Sequence, residues 1–254
     1  MLLLLDLGNT NTHLGLANGR RLVKQMDLPT SAWSGPHARK ALTRFVGRQR
    51  LEGAALCSVV PASTPLALEA IWKTWRLDAF ELTHRSLRGV GIRYPRPGSI
   101  GPDRLANAAA ARHRHGAPVV VVDFGTAVTF DVVDAKGDYV GGIIAPGLAA
   151  MTEYLHDKTA LLPRVRIREI RSTIGRSTEE AMLIGAVHGY RGLVRELLAE
   201  LKGELNVRRL PVVATGGYAR LMAARLPEIT AVEPGLTLEG LRLVWLALHP
   251  KTSR

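Results

Sequence analysis

Two short motifs constrain this chain more than any other feature. Leu2–Leu5 is an apolar run that ends in Asp6-Leu7-Gly8-Asn9-Thr10-Asn11-Thr12, and Val119–Val122 is one that ends in Asp123-Phe124-Gly125-Thr126-Ala127-Val128-Thr129. Asp6 and Asp123, Gly8 and Gly125, and Thr12 and Thr129 are each separated by 117 residues. In both places a turn and a returning strand follow: Asn18-Gly19 before Arg21–Leu28, and Ala135-Lys136-Gly137-Asp138 before Tyr139–Ile144. One Asp-x-Gly turn says little, because Asp, Gly and Asn form turns for their own reasons. The same order of strand, motif, turn and strand, met twice in register, points to a duplicated fold.

The rest of the chain fits two α/β halves. Ala54–Val60 and Leu210–Thr215 read as buried strands. Helices are expected at Pro36–Arg50, at Thr64–Trp75 with Thr64 as cap, at Asp103–His115, near Leu148–Leu155, from Ser177 to about Lys202, and at Leu236–Leu248. Ser177-Thr178-Glu179-Glu180 has the spacing of a capping box. Gly185, Gly189 and Gly192 lie on one side of the long helix, where a close helix–helix approach, a dimer contact among the candidates, would explain them. With 254 residues, two similar domains, 1–116 and 117–254, are expected to face each other across a cleft.

Composition excludes several classes. The single cysteine, Cys57, cannot form an internal disulfide and reads as a small buried residue. No apolar run approaches a membrane span, and Met1–Leu5 stops at Asp6 without a basic leader, so a cytoplasmic protein is expected. The net charge of +12 comes from scattered Lys and Arg, which fits a solvated surface better than a nucleic-acid face.

The motifs suit a polyphosphate ligand. Gly8 lets backbone N–H groups approach phosphates, and Asn9, Thr10, Asn11 and Thr12 offer donors. Asp6 can hold Mg²⁺ through water. Asp123 and Thr126 form the second copy, with Asp123 a cation ligand. Gly216-Gly217 either lets backbone pass close to a flat ring or starts a helix.

Five segments then carry a family resemblance. These are Asp6-Leu7-Gly8-Asn9-Thr10-Asn11, Gly101-Pro102-Asp103-Arg104, Val122-Asp123-Phe124-Gly125-Thr126, Gly141-Gly142-Ile143-Ile144-Ala145-Pro146-Gly147 and Ile174-Gly175-Arg176-Ser177-Thr178. Their order and spacing, from Leu4 to about Gly217, resemble the type III pantothenate kinases of the acetate and sugar kinase, Hsp70 and actin superfamily. The resemblance implies two ribonuclease H-like, actin-like ATPase domains and ATP-dependent phosphorylation of pantothenate to 4′-phosphopantothenate, the first step of coenzyme A synthesis. It implies Asp103 as general base, and Tyr94, Gly101, Pro102, Arg104 and Thr178 around pantothenate. Asp6, Leu7, Gly8, Asn9, Thr10, Asn11, Thr12, His13 and Thr126 would surround ATP, with Asp123 binding K⁺ or NH₄⁺. It also implies a homodimer in which Thr178 reaches the neighbouring subunit's site. Read without the family, Asp103 could simply cap its helix.

Two departures stand out. Pro102 has no N–H, so any substrate contact from that backbone nitrogen is lost. Arg176 and Ser177 replace the commoner Lys-Asn. A regulatory or nucleic-acid-associated accessory protein on the same fold is the alternative. It predicts a degraded phosphate motif or a lost base, whereas Asp6, Asp103, Asp123 and Thr126 are all present.

Overall fold

The computed structural model describes residues 1–250. In chain order the elements are β1 (Leu2–Leu7), β2 (Asn11–Ala17), β3 (Leu22–Pro29), α1 (Pro36–Val46), β4 (Gly53–Ser58), α2 (Thr64–Trp75), β5 (Phe80–Glu81), β6 (Gly91–Ile92) and α3 (Pro102–His115). They continue with β7 (Val119–Phe124), β8 (Ala127–Val133), β9 (Asp138–Pro146), α4 (Leu148–Lys158), α5 (Thr178–Glu204), β10 (Val212–Thr215), α6 (Ala219–Ala223), β11 (Ala231–Val232) and α7 (Leu236–Leu248).

The residues fall into two compact units. The first holds Met1–Ala117, Lys136–Val140 and Gly235 onward; the second holds Pro118–Ala135 and Gly141–Pro234. One of the breaks between them follows Ala117. Two stretches of the second half, however, belong with the first unit. Among the described residues no helix is long and apolar enough to cross a membrane.

The first unit is built on a sheet of order β3-β2-β1-β4-β5. β1 is its centre, antiparallel to β2 and parallel to β4. Both faces of β1 are covered, so it reads as a continuous apolar run without alternation. Leu3, Leu5 and Leu7 face one core with Leu14, Leu56, Leu42, Phe45 and Ile71. The opposite face packs against α7 and α3. α3 buries seven consecutive residues, Leu105–Ala111, because alanines let α7 approach its whole width. At Gly240 the approach is so close that a Cβ would overlap the Ala106 carbonyl.

The second unit has strands in the order β11-β10-β7-β8-β9. β7 is antiparallel to β8 and parallel to β10, repeating the local plan around β1. α5 begins at the expected box: the Ser177 hydroxyl accepts the Glu180 N–H at 3.2 Å, and the Glu180 carboxylate accepts the Arg176 N–H at 2.8 Å. Gly185, Gly189 and Gly192 are exposed and a Cβ on any of them would meet nothing within 4 Å. No close approach within the chain requires them.

Some local readings are corrected. α1 ends at Val46, not Arg50, because Gly47 takes φ 61° and turns the chain. The cap of α2 is Ser63; Thr64 is the first helical residue, and its hydroxyl instead donates to Ser58 Oγ at 2.7 Å. α3 starts one residue early, at Pro102, where a missing N–H costs nothing.

A buried ionic network ties α7 into the first unit. Arg242 donates to both Glu239 oxygens at 2.8 and 2.7 Å and to the Gly19 carbonyl at 3.1 Å; Arg114 lies 3.0 Å from the same carboxylate. Burial alone would push the Glu239 carboxyl up, but Arg242 and Arg114 outweigh it and hold it below its usual value. A depressed folded-state value contributes stability above the ordinary glutamate value of about 4.3 and loses it as pH falls. Glu239→Gln leaves Arg242 buried without its carboxylate. It should cost about 3 kcal/mol at pH 7 in urea unfolding, the gap to wild type closing below about pH 4. A gap that persists undiminished well below pH 4 contradicts this.

Candidate active site

The first phosphate motif is the turn between β1 and β2. The Gly8 N–H donates to the Asn11 carbonyl at 3.0 Å, and a Cβ on Gly8 would sit 2.9 Å from that oxygen. Asn9, Thr10 and Asn11 are exposed at the tip, available to a ligand, while Leu7 is core. Thr12 is not at the surface. Strand alternation turns Asn11 and His13 outward and Thr12 inward. Its hydroxyl lies 3.0 Å from that of Thr30 and accepts the Trp33 indole N–H at 2.9 Å. Thr30 in turn donates to the Gly8 carbonyl at 2.6 Å, and its N–H to the Thr10 carbonyl at 3.0 Å. Thr12 therefore stakes the turn from beneath, with Thr30 and Trp33, rather than donating to phosphate as expected. Neither of those two partners is marked by any local motif. His13 pairs with Asp27 at 2.7 Å on the exposed side.

Asp6 is buried at the carboxyl end of β1. Register places it opposite His13 on β2 and beside Cys57 on β4, all on one sheet face. The Cys57 thiol donates to Asp6 Oδ1 at 3.4 Å. Burial, then the charges of Asp6 and Asp103, push that thiol well above its ordinary value, so it stays neutral. This agrees with the reading of Cys57 as a small buried residue, and it locates Asp103 near the same spot.

Asp103 is the second residue of α3, and the helix cap is Gly101, which makes no side-chain cap bond. Asp103 Oδ1 accepts the Arg104 N–H at 2.9 Å. A Cβ on Gly101 would strike Asp103 Oδ1, with Val59 just beyond at 3.6 Å. Space for the carboxylate, not backbone conformation, requires glycine there. Burial raises the Asp103 carboxyl above its usual value, and the Arg104 N–H and guanidinium offset only part of that. Arg104 is half-buried, its guanidinium 5.8 Å from the centre of the Tyr139 ring; the Tyr94 ring meets the same ring edge-on at 6.3 Å. The structure thus joins Tyr94, Gly101, Asp103 and Arg104. It adds Tyr139, which no sequence motif flagged.

In the second unit, Asp123 closes β7 beside Thr215 of β10. Gly216 follows with φ +88°, and a Cβ there would come within 2.5–2.7 Å of Asp123 Oδ1 and the Phe124 backbone. Gly217 faces open space. Gly125 and Thr126 are exposed, and the Thr126 carbonyl accepts the Gly147 N–H at 3.1 Å, joining this turn to the start of α4. Thr178 opens α5. It is exposed at the first position of α5, while Tyr190, which donates to the Pro146 carbonyl, lies about 18 Å further along the same helix.

A strand, an Asp–Gly hairpin and a return, repeated in two mixed sheets, define an actin-like ATPase fold. Solved structures share this fold. A conserved Baf family protein of Campylobacter jejuni, described as a transcriptional activator, matches with TM-score 0.60 at 19% identity, over 98% of this chain and 100% of its own. The ethanolamine utilization protein EutJ of Carboxydothermus hydrogenoformans matches with TM-score 0.53 at 15% identity, over 95% and 89%. The sequence narrows the class. The model of the type III pantothenate kinase family matches residues 2–200. Relatives of that name are 48% identical in Akkermansia muciniphila, over 95% of this chain and 96% of theirs, and 43% identical in Methylacidiphilum infernorum, over 96% and 87%. The chain belongs to the type III pantothenate kinase family.

The two adjacent glycines separate cleanly by experiment. Gly216→Ala forces both a left-handed backbone and a clash at Asp123, and should cost about 2 kcal/mol in denaturant unfolding. Gly217→Ala should stay within about 0.5 kcal/mol of wild type. Equal effects would contradict this geometry.

Proposed function

We propose that this chain transfers the γ-phosphoryl group of ATP to the hydroxyl of pantothenate, giving 4′-phosphopantothenate and ADP. The observation that carries the reading is Asp103. It is a shielded carboxylate at a helix start, near enough to Cys57, the β4 neighbour of Asp6, for its charge to act there, in a chain of this family.

The chemistry follows from what surrounds it. A general base needs a value lifted toward the working pH, and burial lifts that of Asp103. Asp103 takes the hydroxyl proton as the pantothenate oxygen attacks the γ-phosphorus in line. The bond to the β–γ bridging oxygen breaks and ADP leaves. Tyr94, Arg104 and Gly101 orient pantothenate. Pro102 shapes the same wall without an N–H. The exposed tip Asn9-Thr10-Asn11, the backbone of Gly8 and Thr126 hold the phosphates.

Among the described residues no cluster of three His, Cys, Asp or Glu could hold a metal ion. Mg²⁺ keeps several waters and relies on substrate phosphates with one or two carboxylates. Asp6 would hold it through water, where it would offset phosphate charge. Asp123 would bind K⁺ or NH₄⁺.

We further propose a cytoplasmic homodimer. Gly185, Gly189 and Gly192 leave α5 open to a second helix. Met151, Tyr154 and Leu155 on α4, with Leu193 on α5, add exposed apolar surface to this unit. Thr178, exposed at the start of α5, would then serve the partner's site.

A coupled ADP-release assay with pantothenate, ATP and Mg²⁺ tests the reading. Turnover should require pantothenate and run faster in K⁺ than in Na⁺. It should drop at least about 100-fold in Asp103→Asn, the lower range for losing a general base. Turnover unchanged in that variant removes the base assignment, and no turnover on pantothenate with any cation removes the substrate. Because Asp103 must be ionised to act, kcat/KM should fall as pH drops through its raised value, on an acid limb above the ordinary aspartate value of about 3.9. A limb below that value contradicts the role.

A further inference from the structure

We propose that Tyr139 is the positioning residue of the pantothenate-binding wall, fixing Tyr94 and Arg104 at the same time. This rests on the reading above that Tyr94 and Arg104 contact the substrate.

Sequence order alone puts Tyr139 far from both, in the returning strand of the second hairpin. The structure takes Lys136–Val140 out of the second half and groups it with the first unit. The link is a short parallel pairing of β6 with the start of β9, Gly91 beside Asp138 and Ile92 beside Tyr139. A Cβ on Gly91 would overlap the Asp138 carboxylate, so that side chain lies directly over the glycine. The Arg93 N–H then donates to the Tyr139 carbonyl at 2.9 Å. Tyr94 is the next residue, and the Gly89–Pro102 stretch that begins at this pairing leads into Asp103 and Arg104.

The side chains repeat the message of the backbone. The Tyr139 ring is fully buried, while Tyr94 is 37% exposed and Arg104 half-buried. Tyr94 meets the ring at an interplanar angle of 66°, and the Arg104 guanidinium lies 5.8 Å from its centre. One ring locked in the core therefore lies against two side chains that are less buried than it is. Rings prefer such an edge contact, and a guanidinium set against a ring keeps its donor fork oriented. Without the ring, both side chains regain rotamers that substrate must then freeze. Only pantothenate should feel the loss, because neither side chain belongs to the phosphate turns.

The test is steady-state kinetics on Tyr139→Leu and Tyr139→Phe, beside Tyr94→Ala and Arg104→Ala. Tyr139→Leu should raise KM for pantothenate about tenfold, with KM for ATP within about twofold. Tyr139→Phe keeps the ring and should bring KM for pantothenate back within about threefold of wild type. In a Tyr94→Ala/Arg104→Ala background, Tyr139→Leu should add little, since its effect runs through those two residues. If Tyr139→Leu does not fold, Tyr139→Met replaces it with the same expectation. Should Tyr94→Ala and Arg104→Ala raise KM for pantothenate while Tyr139→Leu does not, the inference is overturned and the substrate reading stands. Should Tyr139→Leu raise both KM values alike, the ring is only structural and the inference is likewise overturned. Should Tyr94→Ala and Arg104→Ala leave KM for pantothenate unchanged, the substrate reading is what fails.

Discussion

A buried strand that ends on a carboxylate sets the terms for the first unit. β1 is sealed on both faces, and Asp6 closes the buried face it shares with Cys57. A carboxylate withdrawn from water is costly unless polar partners surround it. The sheet answers by placing His13 and Cys57 beside it in register, and the Asp103 charge at the start of α3 also acts on Cys57. Asp103 can therefore be shielded and still lie near the Asp6 end of the sheet.

α3 depends on the chain's last helix. Its run of buried alanines would be poor core for bulky neighbours, but it matches Gly240 of α7 closely enough that backbone meets backbone. Thr237 adds a buried hydrogen bond to Asn107, one helical turn beyond Asp103, at 2.8 Å. Such contacts tolerate little shift, since an added methyl has nowhere to go. The family match over residues 2–200 does not include α7, yet α7 helps fix the helix that carries Asp103.

The two hairpins keep one plan while their supports differ. In the first, Thr12, Thr30 and Trp33 hold the turn from within by side-chain hydrogen bonds. In the second, backbone contacts to Gly147 and the tight passage of Gly216 do that work. A duplicated strand order leaves each copy free to find its own anchors, provided the exposed tip keeps its donors.

Local physics was enough for much of this protein. The apolar runs gave β1, β4, β7 and β10, because a strand covered on both faces must be apolar throughout. Pro and Ser–Glu spacing marked the starts of α2 and α5 to within a residue. The paired Asp–Gly motifs, with Gly101-Pro102-Asp103-Arg104, marked most of the candidate site. Tertiary structure alone decided the rest. β5, β6 and β11 are two residues long and exist only because a neighbour offers hydrogen bonds. Thr12 faces inward because Thr30 and Trp33 wait there. Tyr139 and α7 join the first unit through contacts between residues far apart in sequence, and no local periodicity records which distant surface a buried ring or helix will meet.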